Sequence, residues 1–275
     1  MRTRVPVPPQ LEAAAIAFLA GSSAPVPTRD ASTVVLLRDG AESLELYLLR
    51  RQSSMAFAPG MYVFPGGRVD PRDADEAIAW SGPPPAAWAE RLGVAEPLAR
   101  ELVAAAVRET FEESGVLLAG PSSASVVADV SGDDWETDRL ALESRDLSFA
   151  DLLRRRGLVL RTDLLAAWTH WVTPEFEPRR FDTRFFVAAL PPGQRTREIF
   201  GEADRVAWMA PTSAVAAVDT GAMAMLPPTY VTCSELVDLR SADEVLAAAV
   251  KRPISPILPR LVLNGDKPLL ETELP

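Results

Sequence analysis

Three glutamates on one face of a predicted helix are the residues of this sequence best suited to chemistry. Glu109, Glu112 and Glu113 stand in the run RETFEESGV, and at about 100° per residue they share one side of a helix that Gly115 ends. Like charges at this spacing destabilise a helix. A hard divalent cation such as Mg²⁺ or Mn²⁺ binds carboxylate oxygens and removes that repulsion. The spacing by itself is equally compatible with a solvated acidic helix face.

A paired-glycine turn upstream supplies the context for this helix. The apolar run from Met61 to Val63 leads into Phe64-Pro65-Gly66-Gly67, which predicts a strand that enters a turn. Glycine has no Cβ atom, so the backbone there can approach a ligand closely. The presence of both features favours a ligand site over a purely solvated surface.

Together these segments resemble the signature of the Nudix hydrolases, G-x5-E-x7-R-E-U-x-E-E-x-G-U, in which U is aliphatic. Thr110 replaces the first aliphatic residue, and Arg100 stands where the pattern, counted back from Arg108, has a glutamate. That loss affects the anchoring of the helix more than the chemistry. The residues that match are Gly67, Arg108, Glu109, Glu112, Glu113, Gly115 and Val116.

The resemblance implies an α/β fold, a Nudix-type α/β/α sandwich with a mixed β-sheet. It also implies hydrolysis of a diphosphate bond with Mg²⁺ or Mn²⁺ as cofactor. Arg108 is expected to brace the carboxylates, and Glu109 or Glu202 to act as general base. Glu202 precedes a tryptophan-bearing strand, with Asp204 as a nearby competitor. The implied catalytic residues are Arg108, Glu109, Glu113 and Glu202, and the implied metal ligands are Gly66, Glu109, Glu112, Glu113 and Glu202.

An insertion separates the glycine turn from the acidic helix. Residues 71–97 stand where the uninterrupted signature has a short link, and they include three consecutive prolines and the tryptophans Trp80 and Trp88. This composition predicts a loop and a short helix with two aromatic anchors. Long loops in compact domains are usually functional or disordered. The segment is therefore either a lid over the substrate or a packed surface excursion.

Interrupted signatures are typical of the Nudix branch that contains the peroxisomal coenzyme A diphosphatase and its bacterial relatives. Residues 57–70, 171–174, 180–186 and 226–229 resemble that branch. The resemblance implies cleavage of coenzyme A or acyl-coenzyme A into 3′,5′-ADP and (acyl-)4′-phosphopantetheine. A separate coenzyme A signature has arginine at the position of Ala56, so the coenzyme A assignment extends only to the branch.

Three arginines are candidates for binding substrate phosphates. Arg51 closes the strand before the glycine turn, Arg68 follows the turn, and Arg184 belongs to a basic cluster around Asp182. Guanidinium groups suit individual phosphates, whereas ordinary surface ion pairing is the alternative for each of them. The denser run at 154–156 ends a predicted helix, where it complements the helix C-terminus without a ligand.

The scarcity of histidine and cysteine excludes other chemistry. His170 and Cys233 are the only residues of their types, so one chain cannot assemble a zinc site from the usual ligands. His170 lies in an aromatic-rich predicted strand, which favours packing or substrate stacking over a catalytic triad. Cys233 is interpreted as a small buried hydrophobe. A single cysteine allows no intrachain disulfide and fits a reducing cytoplasm.

Length and composition predict one soluble domain, residues 1–275. The 275 residues are 48% hydrophobic, and no apolar stretch reaches the length of a membrane span. A net charge of −10 argues against binding of long nucleic acid. The family resemblance implies a small nucleoside diphosphate derivative as the partner. Residues 11–20 imitate a secretion signal, but an N-terminal helix is favoured. The proline-rich tail, 253–275, wraps either this domain or a partner subunit, which leaves a homodimer as one alternative.

Hydrophobic periodicity indicates which elements position these residues. Helices separated by pairs of strands predict a mixed sheet covered on both faces. The predicted strands are 32–37, 44–50, 61–64, 166–172, 183–189 and 206–209, and the predicted helices are 98–114, 148–156 and 242–250.

Three other functions are weighed against coenzyme A hydrolysis. In the first, the same reaction acts on ADP-ribose, NADH or another nucleoside diphosphate derivative. In the second, the domain is a nucleotide-sensing module that has lost turnover, although retention of all three helix glutamates argues against it. The third is a purely structural protein, which would give no reason for the glycine turn and the acidic helix to occur together.

Overall fold

A mixed β-sheet lies at the centre of the molecule. The computed structural model describes residues 2–53, 58–197, 203–265 and 267–274, and within these ranges the sheet has eight strands. Parallel and antiparallel pairs both occur, so the predicted mixed sheet is confirmed. Six of its strands follow in the order β11 (Ala203–Met209), β3 (Leu44–Arg51), β2 (Arg29–Asp39), β10 (Phe181–Ala189), β9 (Ala166–Val172) and β12 (Pro256–Ile257).

The glycine turn fills a gap between two neighbouring long strands. At one end β2 pairs with β3, and towards its other end it pairs with β5 (Gly66–Arg68). β3 pairs in the same way with β4 (Tyr62–Val63) beyond its contact with β2. The short strands β4 and β5 therefore occupy the opening between β2 and β3, and this places the glycine turn within the sheet.

Alternate residues of the central strands face two separate hydrophobic cores. Val34 and Leu36 belong to one core, and Val35 and Leu37 belong to the other. The first core includes α3 (Glu96–Ser114) and the second includes α8 (Ala242–Lys251), so a strand with side chains at a period of two is buried on both faces. The other helices of the described ranges are α1 (Glu12–Leu19), α2 (Pro85–Leu92), α4 (Asp133–Glu143), α5 (Phe149–Arg156), α6 (Pro211–Asp219) and α7 (Pro227–Glu235).

The insertion packs against α3. It contains a 3₁₀ turn (Pro71–Ala74), the short strand β6 (Trp80–Ser81) and α2. Trp88 of α2 is buried, and its ring meets that of Phe186 edge-on with 5.7 Å between the centroids. A buried aromatic anchor of this kind is what a packed excursion requires. β6 forms a small separate sheet with β7 (Ala119–Gly120) and β8 (Val159–Arg161).

The two ends of the chain form a third sheet. β1 (Arg2–Pro6) pairs antiparallel with β14 (Lys267–Glu273), which forms a hairpin with β13 (Arg260–Asn264). Gly265 has a φ of 61° in the connection, a left-handed conformation that glycine adopts readily. The proline-rich tail thus pairs with the first strand of its own chain. We call β1, β13 and β14 the terminal sheet.

The predicted elements agree closely with the structure where their apolar periodicity is strong. The strand predicted at 166–172 is β9, and the helices predicted at 98–114, 148–156 and 242–250 are α3, α5 and α8. The prediction missed the strands of the terminal sheet and helices α4, α6 and α7. No helix of the described residues is both long enough and apolar enough to cross a membrane.

Candidate active site

Helix α3 presents its glutamates on the side away from the core. Val103, Val107 and Phe111 are buried beneath the helix, as the periodicity predicts. The helix ends at Ser114 because Gly115 takes a left-handed φ of 72° and closes the last turn. The three glutamates of the acidic run lie on the other side, where all of them line one cavity.

The glycine turn lies directly against these glutamates. The Gly66 N–H donates a hydrogen bond of 2.8 Å to Oε2 of Glu113. A Cβ atom on Gly67 would overlap the Glu109 carboxylate, and one on Gly66 would lie 2.5 Å from the carbonyl oxygen of Ser32. Both positions exclude a side chain because their neighbours approach so closely. The fold therefore brings together the two segments that the sequence marked.

Arg108 is held in place by a carboxylate from outside the acidic run. Its Nε and Nη2 atoms each donate a 2.9 Å hydrogen bond to the carboxylate of Asp73. Its Nη1 atom donates to Glu109 at 2.7 Å and to Glu112 at 3.2 Å. Burial disfavours the charged guanidinium, but the hydrogen bonds to Asp73 and the nearby carboxylates outweigh it and raise the pKa of Arg108. Arg108 is therefore a cation that holds three carboxylates together.

Asp73 corrects the alignment of this chain with the signature. Counted forward from Gly67, the glutamate of the signature falls on Asp73. Counting back from Arg108 gives Arg100, whose guanidinium lies over the Trp80 ring. The prediction that helix anchoring is weakened was wrong, because Asp73 supplies the anchoring carboxylate.

Two of the helix glutamates have raised pKa values. Burial raises the pKa of Glu109 to about 7, with the charge of Arg108 acting against it and that of Glu112 adding to it. Burial is also the main cause of the raised pKa of Glu112. A carboxyl group with a pKa close to neutrality is suited to accepting a proton.

The donor set of this site fits a hard divalent cation. Glu109, Glu112 and Glu113 offer carboxylate oxygens, which Mg²⁺ and Mn²⁺ prefer. Within the described ranges, however, no three acidic, histidine or cysteine side chains already form a group that could hold a metal ion. Glu109 and Glu112 are hydrogen-bonded to Arg108, and Glu113 to Gly66. The predicted ligands are thus neighbours in the fold but not a finished coordination shell.

A cavity of about 1060 Å³ opens beside the glutamates. This volume slightly exceeds the usual range for small-molecule sites, whose upper limit is about 1000 Å³. Its wall contains parts of all four segments that resemble the coenzyme A diphosphatase branch, although these segments are far apart in the sequence. They contribute Met61 and Phe64, then Trp171 to Pro174, then Phe181, Thr183 and Phe185, and finally Leu226 to Thr229.

Two of the three predicted substrate arginines line this cavity. Arg51 and Arg68 belong to its wall. Arg184 does not, and only 4% of its surface is exposed. It forms an ion pair with Asp182, which also bonds to Nε2 of His170 at 2.6 Å. The prediction of a substrate role for Arg184 was wrong, because alternate residues of β10 face the cavity and Arg184 faces the opposite way.

Sequence reasoning also missed Glu177, an acidic side chain in the cavity wall. Glu177 lies in the loop between β9 and β10. Burial raises its pKa to about 7, and the charge of Arg180 opposes this shift. The surrounding sequence matches no motif, so nothing in the local pattern distinguishes Glu177 from an ordinary loop residue.

The predicted fourth carboxylate ligand, Glu202, lies outside the described residues, as does Ala56. Its competitor Asp204 is bound to Arg50, whose Nε and Nη2 atoms donate hydrogen bonds of 2.6 and 2.8 Å. Asp204 is also absent from the described wall of the cavity. Its carboxylate is thus engaged in an ion pair away from the helix glutamates.

The sequence of this chain is similar to a family profile and to known proteins. The family profile described as NUDT19 Nudix domain matches residues 11–236. The acyl-coenzyme A diphosphatase NUDT19 of Xenopus laevis is 24% identical over 250 residues, which cover 79% of this chain and 66% of the relative. The Gallus gallus protein of the same name is 26% identical over 245 residues, which cover 73% of this chain and 63% of the relative. The Homo sapiens protein of that name is 28% identical over 292 residues, which cover 92% of this chain and 76% of the relative. The chain thus spans about two thirds of the length of the first two relatives.

A solved structure supports the same assignment. The crystal structure of a NUDIX hydrolase from Alicyclobacillus acidocaldarius superimposes with a TM-score of 0.68 at 29% identity, covering 81% of this chain and 96% of that one. Since the family profile also covers most of the sequence, the chain belongs to the NUDT19 Nudix domain family of the Nudix hydrolases.

Proposed function

We propose that this protein is a divalent-metal-dependent diphosphatase that acts on coenzyme A or acyl-coenzyme A and releases 3′,5′-ADP and (acyl-)4′-phosphopantetheine. The contact between the glycine turn and the partly buried glutamates of α3 carries the proposal, because it places acidic oxygens on the wall of a large cavity. Relatives named acyl-coenzyme A diphosphatase support the choice of substrate class.

The charged residues of the site have separate roles: metal binding, acceptance of a proton and orientation of the carboxylates. Glu109, Glu112 and Glu113, with the Gly66 carbonyl, would hold Mg²⁺ or Mn²⁺. Such a cation, when bound, supplies positive charge to the diphosphate oxygens. The partly buried Glu109 carboxylate accepts the proton of the attacking water. Arg108 fixes the orientation of Glu109 and Glu112 through its hydrogen bonds.

The remaining cavity wall serves substrate binding. Arg51 and Arg68 lie on the wall, where guanidinium groups bind phosphate oxygens of the nucleotide portion. Trp171 and Phe181 supply flat apolar surface for the rest of the substrate. Apolar walls also limit the access of bulk water, which strengthens the electrostatic contacts within the site.

The test compares two glutamates of the same helix. We expect Glu113→Gln to lower turnover of coenzyme A with Mg²⁺ or Mn²⁺ by at least about 100-fold, because it removes one charged oxygen donor of the trio. Glu96→Gln changes an exposed residue in the first turn of α3 by the same chemistry and should retain activity. The measurement is chromatographic release of 3′,5′-ADP from coenzyme A and acyl-coenzyme A, with NADH and ADP-ribose assayed in parallel.

Each outcome of this assay separates the candidate functions. Near-normal activity of Glu113→Gln would contradict the site assignment. Turnover confined to NADH or ADP-ribose would retain the hydrolase and reject the coenzyme A substrate. Binding of a nucleotide without turnover of any compound would identify a sensing module instead.

A further inference from the structure

We propose that the terminal sheet forms the part of the cavity wall that binds the apolar tail of the substrate, so that residues from both ends of the chain set selectivity for acyl-chain length. This inference rests on the proposed diphosphatase function and adds the location of the acyl group. It assigns a role to strands that pair the first residues of the chain with the last.

The terminal sheet has one charged face and one face towards the cavity. Arg2 and Arg4 form ion pairs with Glu273 and Glu271 on one side. The residues that alternate with these charged residues along each strand point to the opposite face, because side chains alternate along a strand. Val5 pairs directly with Leu270, and both side chains line the cavity. The sheet therefore offers a cross-strand apolar pair to whatever fills this space.

The side chain of Val5 is partly exposed where it borders the cavity. It is 41% exposed, although it lies opposite the buried Leu270 and beside a cavity of about 1060 Å³. An apolar side chain in such a position gains free energy when an apolar ligand covers it. An acyl chain is such a ligand, and it has no polar groups that the wall would need to satisfy.

The charges around the cavity are unevenly distributed. The terminal sheet and the chain next to it contribute Val5, Pro6, Pro8, Gln10, Leu11, Pro259, Leu270 and Thr272 to the wall, and all of these are uncharged. The arginines and helix glutamates that suit a diphosphate come from elsewhere in the chain. Thus the groups for the diphosphate and the groups for a neutral tail belong to different elements, as an acyl-coenzyme A ligand requires.

The strands of the terminal sheet also lie outside the region that the family profile matches. The strands β1, β13 and β14 all lie outside the residues matched by the family profile, 11–236. They are fastened to that region by the β9–β10 loop, whose Phe176 is buried with Leu270, Val7 and Ala15 in a separate cluster. Residues of the same loop, including Thr173 and Glu177, line the cavity. A wall assembled in this way can alter tail selectivity without altering the diphosphate site.

The test places a charge on the proposed tail-binding face. We expect Val5→Asp to lower the ratio of kcat/KM for dodecanoyl-coenzyme A to kcat/KM for coenzyme A by at least about tenfold, since each buried methylene contributes roughly fourfold. Leu263→Asp is the matched control, because Leu263 is 59% exposed on β13 and is not part of the described cavity wall. The control should leave the ratio unchanged. Thermal unfolding of both variants verifies that the fold is retained.

The proposal is overturned if Val5→Asp leaves the ratio unchanged, or if Leu263→Asp lowers it as much. It is also overturned if the wild-type ratio does not rise with chain length. Calorimetric binding of dodecanoyl-coenzyme A and coenzyme A to a Glu113→Gln background separates this result from the proposed hydrolysis. If dodecanoyl-coenzyme A binds more tightly than coenzyme A, and Val5→Asp abolishes that difference, the tail site is supported even if no substrate is hydrolysed. Equal binding of both ligands would reject the tail site.

Discussion

Glu177 places a partly buried carboxyl group in the cavity wall. Its pKa of about 7, raised by burial, exceeds the value of an unfolded glutamate, so the folded state holds the proton more tightly. The folded protein therefore binds more protons than the unfolded protein between about pH 4.5 and pH 7. The stabilising contribution of this group is present at low pH and is lost as the pH rises through that window.

We expect Glu177→Gln to reveal this loss. From pH 5 to pH 8 the free energy of unfolding of the wild type should fall relative to the variant by about 2 kcal/mol, after allowance for partial solvent screening. Urea unfolding of both proteins at several pH values measures the difference. Glu175→Gln, a change at an exposed neighbour, should show the wild-type pH dependence. Identical pH dependence of the wild type and Glu177→Gln would contradict the burial of this carboxyl group.

For single residues, the sequence predicted the helix glutamates but not all of the side chains that surround them. Glu109, Glu112 and Glu113 are recognisable because a fixed spacing and a glycine stop accompany them. Asp73 was missed because the insertion changes its distance from Arg108, although its distance from Gly67 matches the signature. Arg184 was misassigned because composition alone does not show which face of a strand a side chain occupies.

At the scale of elements, α3 is fixed by contacts at two places along its length. Asp73 binds Arg108 from the 3₁₀ turn that opens the insertion. Arg139 of α4 donates a 2.8 Å hydrogen bond to the carbonyl oxygen of Glu112, near the C-terminus of α3. A cation near the C-terminal carbonyls of a helix is favourable. The two contacts lie on neighbouring elements and together orient the glutamate face.

The Asp73–Arg108 pair should behave as a coupled unit. Both side chains are buried, so Asp73→Asn leaves a buried guanidinium without its strongest partner, and the free energy of unfolding should fall by about 3 kcal/mol. The double variant Asp73→Asn/Arg108→Gln should lose less than the sum of the two single variants, because the buried guanidinium that Asp73→Asn leaves without its partner is also removed. Denaturant unfolding measures this cycle. Glu76→Gln, at an exposed position of the same segment, is the control, and strict additivity would contradict the coupling.

The elements that the sequence predicted well are those with long apolar runs. Many of the buried valine, leucine and alanine residues belong to β2, β10 and α3. The periodic spacing of apolar residues in these elements is therefore easy to recognise. α4 is mostly polar, and α7 begins with a proline pair that resembles a loop but suits the first turn of a helix. The terminal strands are short, and β1 pairs with β14 across nearly the whole length of the chain, which no local pattern can indicate.

At the scale of the whole molecule, the stability of the structure is distributed unevenly. Two large cores cover the faces of the central sheet, whereas the terminal sheet rests on a small cluster around Val7, Ala15, Phe176 and Leu270. Local opening costs least where few apolar side chains are buried. The terminal sheet should therefore open without unfolding of the central sheet.

Hydrogen exchange measured by mass spectrometry provides the test of this distribution. Peptides that contain β1 or β14 should exchange at least about tenfold faster than peptides from β2 or β10. Added dodecanoyl-coenzyme A should slow exchange in the terminal strands more than coenzyme A does, because in the proposed tail site the acyl chain lies against Val5 and Leu270. Equal slowing by both ligands would show that the terminal sheet responds to the nucleotide portion. Exchange as slow as that of β2 without any ligand would mean that the ends of the chain belong to the same cooperative unit as the central sheet.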